Sequence, residues 1–198
     1  MLRIGITGGI GSGKTTICKV FEIFGIPVFY ADIAAKSVMQ NDPLLVSAVK
    51  DLFGDEAYFE SGELNRSYLA AKVFGDEKEL KKLNSIVHPA VFRAFDLWSE
   101  QQKNVPYVLK EAALLYESNS YQDCSYTILV KSPLELKLKR VMQRDNVSGE
   151  EIRKRMARQW TDEEKEKLAD IVLNNNETYF LLPEIIKLHQ RFLEESTK

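Results

Sequence analysis

Near the start of the 198-residue chain, Gly8-Gly9-Ile10-Gly11-Ser12-Gly13-Lys14-Thr15 has the G-x-x-x-x-G-K-[ST] spacing of a phosphate-binding loop, and Thr16 follows it. Glycine lets the backbone curl around an anion. The first turn of a following helix adds unpaired N–H groups and partial positive charge. Polyphosphate suits that geometry, which makes Gly11, Ser12, Gly13, Lys14, Thr15 and Thr16 the candidate nucleotide contacts. Lys14 would reach the β- and γ-phosphates, and the Thr15 hydroxyl is the candidate ligand of a Mg²⁺ ion that neutralises them. A loop of this kind serves kinases, ATP-driven machines and GTP switches alike.

Two further groups could act on a bound phosphate. Asp32 follows the apolar and aromatic run 26–30. At a strand end facing the γ-phosphate it could accept or orient the proton of an attacking hydroxyl, and the same aspartate could equally cap a helix starting at Ile33. Arg140 and Arg144 are four apart and share a helix face. With Lys137, Lys139, Arg153, Lys154, Arg155 and Arg158 they concentrate basic charge in a chain whose net charge is −2. The bland reading is a solvated face. The favoured one is a lid, residues 137–158, whose arginines stabilise charge on a transferring phosphoryl group while excluding water. His88 before Pro89 reads as a cap or a satisfied buried imidazole, and His189 carries no signal. Asp51-x-x-Gly54 has the short pattern of a GTP switch but ends a predicted helix, and the chain has no N-K-x-D.

These residues need a scaffold. Residues 2–7 form an apolar strand entering the loop, and Ile17, Val20, Phe21 and Phe24 give the exiting helix its buried face, with Gly25 as its C-cap. Strand 26–30 follows. From 33 to 102 the pattern is helical: Asp42-Pro43 starts a helix that ends at Phe53-Gly54, and further helices are expected over 64–74, 77–86 and 89–102. Strands resume near 106–109, 126–130 and 170–173. Ser132-Pro133-x-Glu135 reads as an N-cap with proline at N1, opening a helix to Arg144. Ser148-Gly149-Glu150-Glu151 and Thr161-Asp162-Glu163-Glu164 are two capping boxes, and 178–193 is an amphipathic helix. Five strands separated by helices predict an α/β fold with a parallel sheet covered on both faces. The expected organisation is a nucleotide-binding core of residues 1–32, 103–136 and 159–198, a helical substrate-binding region 33–102, and the lid. No aspartate closes the strand at 106–109.

Composition narrows the classes further. Hydrophobic residues make up 44% and charged residues 28%, ordinary values for a soluble globular protein. The slightly negative net charge argues against a general nucleic-acid surface. Cys18 and Cys124 fit no metal or disulfide pattern. No leader, signal core or run of membrane-spanning length is evident, so the expectation is a cytoplasmic protein without membrane partners. The pattern carries no signal for an oligomeric state.

With these residues in view, the chain resembles the dephospho-coenzyme A kinase family from Ile4 to about Leu188. The similarity rests on linked motifs: Thr7 to Thr16; Ala31-Asp32 of a D-A-D motif; Phe53-Gly54; Gly62-x-Leu64-x-Arg66; Leu69; Val73-Phe74; His88-Pro89; Leu114-Leu115-x-Glu117; Arg140 and Arg144; Gln159; and Ala169-Asp170-x-Val172-Leu173-x-Asn175. Tyr30 stands where the family has its first aspartate, and Ala113 where it has proline. The resemblance implies a P-loop kinase fold and transfer of the ATP γ-phosphate to the ribose 3′-hydroxyl of dephospho-coenzyme A. It implies Asp32 as catalytic base beside Lys14, Arg140 and Arg144, with Asn175 near the adenine. Arg66, His88, Leu114 and Glu117 then join Asp32 as substrate-binding candidates. Two other readings remain open from the residues themselves: a nucleoside or nucleotide kinase, and a non-catalytic nucleotide-binding regulator.

Overall fold

In chain order, the computed structural model, which describes residues 1–197, contains β1 (Leu2–Thr7), α1 (Lys14–Ile23), β2 (Val28–Tyr30), α2 (Ala31–Asn41), α3 (Pro43–Phe53), α4 (Arg66–Val73), α5 (Glu77–Gln101), β3 (Tyr107–Glu111), β4 (Tyr126–Lys131), α6 (Leu134–Asp145), α7 (Gly149–Met156), α8 (Asp162–Glu166), β5 (Ile171–Asn174) and α9 (Leu182–Ser196). Short 3₁₀ turns lie at Asp55–Ala57 and Ser120–Asp123. The five strands form one sheet in the order β2-β3-β1-β4-β5, and every pairing is parallel. All five carboxyl ends therefore share one edge, where ligands of open α/β sheets bind.

The chain divides into two compact units, one made of residues 1–30 and 102 onward, the other Ala31–Gln101. In the first, Ile4, Ile6, Leu109, Ile128 and Val130 of the sheet pack with Ile17, Cys18 and Phe21 of α1 and with Ile185 and Phe192 of α9. Their near-continuous apolar runs are what a sheet buried on both faces requires. Tyr107 is fully buried, stands edge-on to Phe21 and Phe192, and shares a 2.6 Å hydrogen bond with His189 Nδ1, so the histidine without a sequence signal fastens α9 to the sheet. A smaller core of Leu138, Val141 and Ile152 joins α6 to α7, with Ile10 of the phosphate loop packed against it.

In the second unit α5 is the spine, packed by α2, α3 and α4. The Asp42 carboxylate caps α3 through Leu44 N and Leu45 N and takes a 2.7 Å bond from Arg93 of α5. Burial alone would raise its pKa, but these donors hold the carboxyl below its usual value.

Several local expectations are corrected. The two helices expected over 77–86 and 89–102 are one helix, Glu77–Gln101, with Pro89 inside it. Proline removes one backbone bond, but Val87, Ala90, Val91 and Phe95 are buried on both sides of it and carry the helix through. His88 therefore lies mid-helix. Ser132 is not an N-cap: α6 begins at Leu134 after an extended Pro133, and the Ser132 hydroxyl donates to Asn175 O at 2.8 Å instead. Helix α9 begins at Leu182 rather than 178, because Asn176 Oδ1 accepts from both Thr178 N and Thr178 Oγ1 and folds that stretch into a turn. Strand β3 runs to Glu111, two residues beyond the expected end. Both capping boxes form as read. Cys18 and Cys124 are free thiols, and burial pushes the Cys124 thiol up to about 11. Among the described residues no helix is long and apolar enough to cross a membrane.

Candidate active site

The loop 8–13 leaves the carboxyl end of β1 and enters α1. Gly13, the residue before α1, has φ 95°, in the left-handed region. A Cβ there would collide with the side-chain amide of Asn175, so both conformation and space demand glycine. The loop's carbonyls are held by cationic and amide donors. Lys14 Nζ donates to Gly8 O at 2.9 Å, Arg140 Nη1 to Gly11 O at 3.3 Å, and Asn175 Nδ2 to Ser12 O at 2.8 Å. Fixing the carbonyls fixes the peptide planes, and with them the amides that a phosphate would meet. Ser12 Oγ is buried and has no hydrogen-bond partner among the described residues.

Lys14 is only 7% exposed, and its ammonium lies 3.9 Å from Glu111 Oε1 at the end of β3. Glu111 supplies the carboxylate that the sequence reading missed. A strand ended at Leu109 hides it, and only the pairing of Glu111 with Ile6 of β1 and Tyr30 of β2 extends β3 that far. The exposed Thr15 hydroxyl and this carboxylate are oxygen groups of the type that a hard divalent cation takes. No cluster of three or more His, Cys, Asp or Glu side chains among the described residues could hold a metal alone.

The arginine pair separates. Arg140 packs on the loop through Gly11 O and Ser12 O and pairs with Glu177 at 2.8 Å. Arg144 is more exposed and pairs with Asp145 at 2.7 Å, which also holds Arg155 of α7 at 3.2 Å. Gln159 Oε1 accepts the Ile10 N–H at 3.0 Å, and Lys137 pairs with Asp162 at 2.7 Å. The sequence named Gln159 only as a motif match and did not name Glu177; the fold brings the first to the loop and the second to Arg140. Asp170 holds register: its Oδ2 accepts from both Thr127 N and Thr127 Oγ1. A cavity of about 860 Å³ adjoins Gly9, between Pro133 and Lys137 on one side and Met156, Trp160 and Asp162 on the other. It is lined by none of Lys14, Thr15, Arg140 or Asn175, so it neighbours the phosphate cradle without being part of it.

The remaining candidates fall as follows. Asp32 lies in the first turn of α2, directly after β2, and is exposed, so it is within the helix and not its cap. Thr16 is exposed on α1. Arg66 opens α4 with an exposed side chain, after Asn65, whose Oδ1 caps the helix through Tyr68 N. His88 is half-buried beside Phe92, and burial lowers its pKa. Leu114 is half-buried after β3. Glu117 Oε1 takes Lys165 Nζ at 3.0 Å and Trp160 N at 2.8 Å. Of the two departures, Tyr30 donates its hydroxyl to Glu22, and Ala113 keeps a carbonyl that accepts from Lys165.

A parallel sheet in this order, a glycine loop at the end of β1 with an invading lysine, and a basic helical pair following β4 define a P-loop kinase. The model of the dephospho-CoA kinase family matches residues 2–180. A dephospho-CoA kinase of Salinibacter ruber is 43% identical over 180 residues, covering 90% of each chain. A solved structure from Thermus thermophilus is 35% identical with a TM-score of 0.81, covering 98% of this chain and 97% of the other. Dephospho-CoA kinase from Campylobacter jejuni is 26% identical with a TM-score of 0.68, covering 98% of each. The chain belongs to the dephospho-CoA kinase family.

Proposed function

We propose that the chain moves the γ-phosphoryl group of ATP to the ribose 3′-hydroxyl of dephospho-CoA, yielding coenzyme A and ADP, with Asp32 as base. It is an ATP-dependent kinase of coenzyme A biosynthesis. The observation that carries the residue assignment is the buried Lys14 ammonium, clasped to the loop's own carbonyls and set beside Glu111. Lys14 holds the β- and γ-phosphates as a point charge, and its attraction grows as charge moves towards the leaving ADP. Thr15 and Glu111, with the substrate phosphates, would hold a Mg²⁺ ion, which would supply neutralisation of the phosphate charge. Gly11, Ser12, Gly13 and Thr16 contact the phosphates, and Asn175 and Arg140 border the nucleotide.

β1 and β2 belong to one parallel sheet, so the chain leaves both strands at the same edge. Asp32 takes the proton of the attacking hydroxyl. Arg144, on the lid, would exchange Asp145 for phosphate as residues 137–158 close and exclude water. Arg66, His88 and Leu114 contribute to holding the coenzyme A precursor. The location that fits is the cytoplasm.

The test is ADP release with Mg·ATP and dephospho-CoA, run beside adenosine, cytidine and nucleoside monophosphates, with the product weighed by mass spectrometry. Release that depends on dephospho-CoA and forms coenzyme A is the expected result. Release with a nucleoside or monophosphate alone would move the substrate to another kinase class.

A further inference from the structure

After α7 the chain returns towards the sheet through residues 157–161 and enters α8. Three contacts bind this return leg. Gln159 accepts the Ile10 N–H of the phosphate loop, and Asp162 pairs with Lys137 of α6. The third reaches across to the segment after β3: the Trp160 N–H donates to Glu117 Oε1 at 2.8 Å, and Lys165 Nζ donates to Ala113 O at 2.8 Å and meets the same Glu117 oxygen at 3.0 Å.

Lys165 is fully buried, and the Glu117 side chain is 13% exposed. An ammonium and a carboxylate taken out of water at this depth add little net stability compared with a well-packed apolar pair. What they add is direction. Glu117 Oε1 can satisfy Trp160 N and Lys165 Nζ together only when the return leg lies where it does. Glu117 Oε2 is buried with no hydrogen-bond partner among the described residues. A carboxylate with half its accepting capacity unused in the interior is poorly explained as a stability device.

We infer that Glu117 and Lys165 are positioning residues that fix the return hinge of the lid, so that Gln159 stays on the phosphate loop and Asp162 on Lys137 while phosphate is transferred. Glu117 thus acts through the lid rather than by touching dephospho-CoA. The inference rests on the kinase reading above. A loosened hinge has a specific chemical consequence. Water can replace the ribose hydroxyl as nucleophile at the γ-phosphorus, the bond to the ADP oxygen breaks, and ADP and inorganic phosphate form with release of a proton.

The experiment compares the wild-type protein with Glu117→Gln, Lys165→Met and the double variant Glu117→Met/Lys165→Met. The double variant buries no lone charge and keeps the test available if either single variant fails to fold. ADP, inorganic phosphate and coenzyme A are measured together, and folding is checked by thermal unfolding. Expected for the folded variants is a fall in kcat of about tenfold or more, KM for dephospho-CoA within about threefold, and a ratio of inorganic phosphate to coenzyme A raised about tenfold. A purely structural pair would lower the melting temperature without moving that ratio. A rise in KM for dephospho-CoA with kcat and the ratio unchanged would make Glu117 a substrate contact, and wild-type kinetics in the double variant would also overturn the proposal. Failure of wild-type protein to use dephospho-CoA would instead overturn the kinase reading, so the two failures are distinguishable.

Discussion

Lys14 and Asp32 are both charged, yet they sit in opposite environments, and this decides how each responds to mutation. Lys14 is held by Gly8 O and the neighbouring Glu111, almost out of solvent. In Lys14→Ala, ATP use weakens and turnover is nearly abolished, because the lost attraction is strongest in the transition state; steady-state kinetics against ATP checks this. Asp32 is exposed in the first turn of α2. Asp32→Asn should leave both substrates binding within a few-fold while kcat falls by roughly 10²–10⁴. Near-normal turnover in that variant would assign the base elsewhere. Glu111→Gln keeps the shape of the β3 end but removes the charge beside Lys14. The expected outcome is a kcat loss on the order of tenfold, with a larger Mg²⁺ requirement read from a metal titration at fixed ATP.

The phosphate loop works as an element because glycine is required at particular points of it. Gly13 and Gly25 both have positive φ, 95° and 80°, but only a Cβ at Gly13 would strike a neighbour, the Asn175 amide. Gly25→Ala should therefore cost about 1–2 kcal/mol of backbone strain and leave kinetics intact. Gly13→Ala should cost more and abolish ATP binding; denaturant unfolding and calorimetric titration of ATP separate the two. Equal effects in both assays would contradict the collision with Asn175. The helices α7 and α8 follow the same logic at their starts. Ser148 and Thr161 cap α7 and α8 reciprocally with Glu151 and Glu164, so the charged segment has fixed starting points despite little apolar burial.

For the whole molecule, the chain's two histidines, His88 and His189, link stability to pH near neutrality. Burial lowers the pKa of each below the usual value near 6.5, so each is favoured in its neutral form in the folded state. Their contribution is fully present above that value. It is lost as pH falls through the lowered folded values, because the unfolded chain then binds the protons more readily. The melting temperature should decline as pH drops from about 7 to 5. In His189→Gln, which keeps an acceptor for Tyr107, part of that decline should vanish, and a slope identical to wild type in a pH series of thermal melts would remove His189 as a contributor.

What could be read from the sequence is what depends on neighbours along the chain. The G-x-x-x-x-G-K-T spacing, the two capping boxes, the Asp42-Pro43 helix start and the apolar runs of the strands are local, and the linked motifs named the family. What depended on distant residues could not be read. Nothing near Pro89 says that α5 continues through it, because the burial of Val87, Ala90 and Val91 against other helices decides that. Ser132 has the residue type of a helix cap, but a carbonyl 43 positions away takes its hydroxyl. Glu111 becomes part of the site only because β1 and β2 flank β3 and prolong it. Arg140 and Arg144 are equivalent on a helical wheel, and only packing of α6 on the loop sends one to Gly11 and leaves the other with Asp145. The chain's local order set the loop spacing, the helix starts and the family; the tertiary fold decided the partners of the loop's residues, since hydrogen bonds and desolvation act between atoms near in space however far apart in sequence.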